Sequence, residues 1–92
     1  MIKSFRCKDT QALFTEGGAL RFQAIQAKAE RKLLMLDCAK GIKDLKNPPG
    51  NHLEKLSGDR AGQWSIRIND QWRICFIWRN GDVHDVEIVD YH

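Results

Sequence analysis

Trp64-Ser-Ile-Arg-Ile-Asn-Asp-Gln-Trp72-Arg-Ile-Cys-Phe-Ile-Trp78 decides the fold of this 92-residue chain. Trp64, Ile66 and Ile68 alternate with Ser65 and Arg67. After the Asn69-Asp70-Gln71 break, Trp72, Ile74 and Phe76 alternate with Arg73 and Cys75. Period-two alternation on both sides of a short polar break predicts a β-hairpin with one buried face. An odd-length loop sets Ile68 opposite Trp72, Ile66 opposite Ile74 and Trp64 opposite Phe76. Every large apolar side chain then falls on one face, whereas a slip by one residue would scatter them. The three tryptophans are therefore core residues rather than stacking platforms for bases. The same register sets Arg67 opposite Arg73 on an open polar face. Like charges opposed across a strand pair repel, so this face asks for an anion, internal or external. Cys75 shares the arginine parity, but no histidine is placed to activate its thiol.

Downstream, Asn80-Gly81 is a strong two-residue hairpin signal. A two-residue loop pairs Trp78 with Val83, but it also pairs Phe76 with Asp85. A one-residue offset instead matches Ile74 with Val86 and Trp72 with Ile88. A β-bulge within residues 82–85 reconciles the two cues. With that offset, Glu87 lies beside Arg73 and Tyr91 shares the arginine face. An ion pair with Glu87 is then one explanation of Arg73, and a guanidinium aimed at phosphate is the other. The sequence closes on Asp90-Tyr91-His92, three groups able to hold or move protons.

Upstream, Met1 to Cys7 reads as a short strand. Asp9 is placed to cap a helix from Thr10 to Glu16, which Gly17-Gly18 stops. A longer helix spans Leu20 to Ala39, with Phe22, Ile25, Ala29, Leu33 and Leu36 as its buried stripe. At about 100° per residue, Arg21, Lys28 and Lys32 flank one side of that stripe, and Gln23, Gln26, Glu30 and Asp37 the other. The basic flank is either a solvated face or the border of an anionic surface. Gly41 ends the helix, and Ile42 to Lys46 adds one turn. Asn47-Pro48-Pro49-Gly50-Asn51 is a rigid loop joining the helical half to the sheet half. The glycine-rich stretch from Ser57 to Gly62 lacks the Gly-Lys-Ser/Thr ending of a phosphate-binding loop. The expected fold is α+β, in the order β-α-α-β-β-β. It is one domain, residues 1–92, with a mainly antiparallel sheet and two N-terminal helices packed on one face.

Composition narrows the rest. The chain has a formal charge of +3, a mild excess that fits an anionic partner. Cys7, Cys38 and Cys75 are odd in number and outside any Cys-x-x-Cys pattern, so they read as reduced thiols. His52, His84 and His92 lack the spacing of a metal site. No cofactor or metal is expected. No apolar run reaches membrane-spanning length, and the first residues lack the pattern of a signal peptide. A cytoplasmic location is the expectation.

The stretch Arg60-x-Gly62-x-Trp64-Ser-Ile-Arg-Ile-Asn-x-Gln-Trp-Arg-Ile-x-Phe76, together with Asp90-Tyr91-His92, resembles the HigB-type toxins of the RelE superfamily. The opening Met1-Ile-x-Ser-Phe5 and the Pro48-Pro49-Gly50-Asn51 loop are similar to the same group, close to its HigB/GraT branch. The resemblance spans nearly the whole chain. It implies a RelE-like, compact microbial RNase-like fold and a bacterial toxin–antitoxin pair. It further implies cleavage of mRNA in the ribosomal A site and neutralisation by a HigA-like helix-turn-helix antitoxin. By position, Arg73 matches the family's phosphate-contacting arginine. Asp90, Tyr91 and His92 match its C-terminal active-site residues. Some HigB toxins carry a histidine two residues beyond His52 and a lysine near Ser57. Glu54 and Ser57 stand there instead, which implies a weaker toxin.

The expected activity is a metal-independent endoribonuclease in which an RNA 2′-OH attacks its own 3′-phosphate. Such a reaction needs a base, an acid and cations for the developing charge. Arg73 is the candidate for charge stabilisation. Asp90, Tyr91 and His92 are candidates for proton transfer or orientation, with Glu54 as a replacement base. Arg67, Arg60, Gln71 and Lys55 are candidates for RNA contact. The expected partners are mRNA on the 30S A site and the antitoxin, with the toxin alone a monomer. Two other functions use the same residues: a non-catalytic RNA- or ribosome-binding inhibitor of translation, and a scaffold that binds only its antitoxin.

Overall fold

In the computed structural model, residues 1–18 and 20–90 are described. Two α-helices precede a four-stranded antiparallel sheet. The helices are α1 (Lys8–Glu16) and α2 (Gln26–Cys38). The strands are β1 (Glu54–Lys55), β2 (Trp64–Arg67), β3 (Trp72–Arg79) and β4 (Asp82–Asp90), in sheet order β1-β2-β3-β4.

The central hairpin takes the register that alternation requires. Trp64 pairs with Phe76, Ser65 with Cys75, Ile66 with Ile74 and Arg67 with Arg73. The Asn69 carboxamide oxygen closes the turn by accepting the backbone N–H groups of Gln71 and Trp72 at 2.9 and 2.8 Å. This is the backbone-mimicking role for which short polar side chains are favoured in turns. Ile66, Ile74 and Phe76 are fully buried against Leu13, Phe22, Ala29, Leu33 and Leu36. The whole expected stripe of the long helix is therefore in the core. Trp64, Trp72 and Trp78 pack around its margin.

The second hairpin corrects one expectation. Trp78 pairs with Val83 and Ile77 with His84, as a two-residue loop dictates. Beyond the bulge, Ile74 pairs with Ile88 and Trp72 with Asp90, not with Val86 and Ile88. The extra residue belongs to β4, where Asp85 takes a left-handed φ of 52°. Its N–H donates to Ser4 Oγ at 2.9 Å. The offset consequently runs opposite to the expected direction. Glu87 lies opposite Cys75, and Val89 is the partner of Arg73.

The helical half also departs in detail. Asp9 lies in the first turn of α1, but Cys7 holds the N-cap position without a side-chain cap. The long helix is broken: Leu20–Ile25 is a 3₁₀ segment, with Phe22 at non-helical φ −110° and ψ 17°. Met1 to Cys7 forms only two isolated parallel bridges, Ile2 to Val83 and Phe5 to Val86. These bridges, with Thr10 Oγ1 accepting the Ile88 N–H at 3.1 Å, cover the free edge of β4. An uncovered edge would invite pairing with another chain. At the other edge, Glu54 and Lys55 pair with Ser65 and Trp64, a strand the alternation did not reveal. No helix among the described residues is long and apolar enough to cross a membrane.

Candidate active site

Antiparallel partners share a face of the sheet, so the pairings place the polar side chains in rows. Glu54, Ser65, Cys75 and Glu87 form one row across all four strands. Arg67, Arg73 and Val89 form the next row on the same face. This is the two-arginine face, but it is not open. Arg73 is only 8% exposed, and Ser65 and Cys75 are fully buried. Alternation assigns a side chain to a face without saying what lies above it. Here the segment from His52 to Gln63 supplies the missing partners.

Arg73 is held from two directions. Its Nε donates to Ser65 Oγ at 2.8 Å, and its Nη2 donates to the His52 carbonyl at 2.6 Å and to the Ser65 carbonyl at 3.4 Å. His52 presents that carbonyl from a left-handed conformation, φ 42°, at the end of the turn Pro49–Asn51. Its imidazole belongs to an exposed residue, and it is the backbone that contacts Arg73. The expected Glu87–Arg73 pair is replaced by another. Glu87 Oε1 accepts Arg60 Nη1 at 3.2 Å, and the same nitrogen reaches Gln63 Oε1 at 3.1 Å. Arg60 comes from the turn Gly58–Arg60, so this ion pair ties the covering segment to β4.

The remaining candidates fall in different places. Arg67 sits opposite Arg73 and is paired with Asp70. Glu54 is exposed and lines a cavity of about 260 Å³ with Lys55, Ser57, Asp59 and Arg60. Lys55 Nζ lies 5.8 Å from the centre of the Trp64 ring, a cation–π distance. Gln71 Nε2 donates to Asp90 Oδ2 at 3.1 Å. Asp90 pairs with Trp72, which puts it on the face opposite Arg73, whose own partner is Val89. Tyr91 and His92 lie outside the described residues. Burial pushes the Cys75 thiol pKa up, with further contributions from Arg60 downward, Glu87 upward and Arg73 downward. A buried thiol held protonated is a poor nucleophile.

The structure thus brings Arg73, Arg67, Glu54 and Arg60 to one face, with Glu87 on that face as expected but paired to Arg60 rather than to Arg73. The signal for the Arg60–Glu87 pair was absent because it joins an irregular loop to a strand 27 residues away. Among the described residues, no three His, Cys, Asp or Glu side chains are placed to share a metal ion.

A family model described as the RelE-like toxin of type II toxin–antitoxin system HigB matches residues 3–92. Endoribonuclease HigB from Proteus vulgaris is 38% identical over the full length of both chains. Toxin HigB-1 from Vibrio cholerae is 49% identical over 51 residues, 55% of this chain and 54% of that protein. The fold is shared with the toxin in a heterotetrameric YoeB–YefM toxin–antitoxin complex from Staphylococcus aureus. The TM-score is 0.59 at 19% identity, over 100% of this chain and 95% of that one. A YoeB/ParE toxin from Agrobacterium tumefaciens gives a TM-score of 0.52 at 21% identity, over 99% and 96%. Matched from residue 3 to its last position by one family model, the chain belongs to the HigB family of RelE-like toxins of type II toxin–antitoxin systems.

Proposed function

We propose that this HigB-family toxin is an endoribonuclease that cuts mRNA in the ribosomal A site and so blocks translation. The observation that carries the reading is the Arg67–Arg73 pairing on the Glu54 face, in a chain similar along its whole length to an endoribonuclease. In the proposed reaction a base removes the proton of an RNA 2′-OH. The 2′ oxygen forms a bond to the adjacent phosphorus and the bond to the 5′ oxygen breaks. The 5′ oxygen takes a proton from the acid, leaving a 2′,3′-cyclic phosphate and a 5′-OH. No divalent ion enters this scheme.

Arg73 is assigned to the negative charge that develops on the phosphoryl oxygens, where fixed donors are most effective. Its hydrogen bonds to Ser65 and His52 fix the guanidinium before substrate arrives. Arg67 and Arg60 are assigned to neighbouring phosphates, with Gln71 and Lys55 at the margin. Asp90, Tyr91 and His92 are assigned to proton transfer and its orientation on the strength of the family resemblance. Glu54 shares a row with Ser65 and is the replacement base on this face. The proposed partners are a HigA-like antitoxin and mRNA on the small ribosomal subunit in the cytoplasm, met by a monomeric toxin.

The test is end-group analysis of a reporter mRNA in a reconstituted translation system, with and without ribosomes. Ribosome-dependent cuts ending in cyclic phosphate and 5′-OH are expected. Inhibition of translation with intact mRNA would overturn the nuclease reading in favour of inhibition by occupancy. Cleavage abolished by EDTA and restored only by a divalent ion, with ribosomes intact, would overturn the metal-free scheme.

A further inference from the structure

We propose that the groove between α2 and the β2–β3 turn binds a flanking nucleotide of the RNA strand held at Arg73. Its cations would take the phosphate and its floor the sugar or base. This rests on the RNA-cleaving reading above. The groove encloses about 390 Å³, and Lys28, Arg31, Lys32 and Arg67 line it around Met35 and Ile68. That volume suits a single small ligand group. Among the described residues, four cations and no carboxylate line it. The cations crowd one another: the Lys32 ammonium pKa is lowered first by burial, then by Arg31 and Lys28. An anion in the groove relieves that repulsion.

Two of the cations are already oriented. Lys32 Nζ donates to Asn51 Oδ1, a neutral acceptor. Asn51 is fully buried, and its Nδ2 donates to the carbonyls of Leu45 and Asn47 at 3.1 and 3.2 Å. Arg67 is paired with Asp70, but the Asp70 side chain is 96% exposed. A solvated pair of this kind contributes little, so a phosphate competes for Arg67 at small cost. The apolar patch of Met35 and Ile68 beside the cations matches a nucleotide better than a run of acidic side chains.

Continuity with the candidate active site identifies the strand. Arg67 lines the groove and is also the cross-strand partner of Arg73. Asn51 holds Lys32 on the groove side, and the next residue, His52, gives its carbonyl to Arg73. Arg67 is thus common to the groove and the arginine face, and the Asn51-His52 pair links the Lys32 side of the groove to Arg73.

The test uses a short single-stranded RNA with 2′-O-methyl sugars and a fluorescent label, which removes the attacking hydroxyl. Binding is followed by anisotropy over a range of salt concentrations for wild type and for Lys28→Gln/Arg31→Gln. Both substituted residues are exposed, so the melting temperature is expected to hold. Binding should weaken about tenfold at low salt, and the slope of log K against log salt should become shallower by about 1.4, roughly 0.7 for each lost contact. An unchanged affinity and slope, or no binding by wild type, would overturn the proposal. So would intact RNA binding with lost binding of a HigA-like antitoxin, which would make the groove a protein-docking surface. Because the strand is uncleavable, the result stands whether or not the wild-type protein cuts mRNA.

Discussion

Arg73→Ala is expected to lower both stability and cleavage, and the two effects are separable. Alternation alone puts Arg73 on an exposed face, where truncation would leave the fold untouched. In the structure it is nearly buried and makes two short hydrogen bonds, to Ser65 Oγ at 2.8 Å and the His52 carbonyl at 2.6 Å. Hydrogen bonds to charged groups contribute about 1.5–3 kcal/mol each. Desolvation of the guanidinium offsets part of that sum, leaving a net loss of about 3 kcal/mol. For a domain of this size each kcal/mol moves the melting temperature by about 4–8 °C, so a fall of about 12–24 °C is expected. Circular dichroism melts and urea titrations measure it. Single-turnover cleavage is then compared at a temperature where both proteins are folded. Loss of a charge-stabilising donor should slow the folded variant by about 100- to 1000-fold, by analogy with removal of an oxyanion-hole donor. A melting temperature within about 3 °C of wild type, below the smallest shift expected for 1 kcal/mol, would refute the structural half. Near-normal cleavage by the folded fraction would remove Arg73 from the chemistry.

Asn51→Ala should destabilise by about 2–4 kcal/mol, because it strips the Leu45 and Asn47 carbonyls and Lys32 of a buried partner; an unchanged urea midpoint would show that water replaces the amide. Trp72→Ala should be chiefly a folding variant, costing about 3 kcal/mol, since its ring packs edge-on to Phe22 at 5.5 Å. If RNA binding vanished while the melting temperature held, Trp72 would be a base platform instead. Deleting Tyr91 and His92 should abolish cleavage while ribosome binding and the melting temperature persist, with His92→Gln a milder form. A truncated protein that is folded, binds ribosomes and cleaves normally would refute the acid–base assignment.

The parts of the fold that alternation and helical periodicity govern were legible. The Trp64–Phe76 and Ile66–Ile74 pairs follow from parity, and the stripe from Phe22 to Leu36 follows from helical spacing. The bulge near Asp85 was legible in position but not in direction. Ile74 meets an apolar partner whether it pairs with Val86 or Ile88, so apolar matching cannot choose between them. Ser4, distant in sequence, is bonded at the bulge. Burial of Arg73 was hidden for a related reason. Residues 52–63 contain only a two-residue strand and a short turn, so no periodicity marks them as the cover of a sheet face. The kink at Phe22 left no signature either, since the residue stays buried on both sides of the change in backbone path.

The loop from Asn47 to His52 looks like a connector in sequence, yet it holds side chains from both halves of the fold. On the helical side, Asn51 Oδ1 accepts from Lys32 Nζ and Asn51 Nδ2 donates to the Met35 sulfur. From the sheet half the loop receives Arg73 on the His52 carbonyl, across 21 residues of sequence. An apolar plug would fill the same space but could not orient a guanidinium or an ammonium, because dispersion contacts have no preferred donor direction. A satisfied polar network does orient them, and it is costly to break in part. The left-handed turn at His52 is what lets one carbonyl face Arg73 while the preceding side chain faces the interior. Changes in this loop should therefore alter the candidate active face even where they leave Arg67 and Arg73 themselves unchanged.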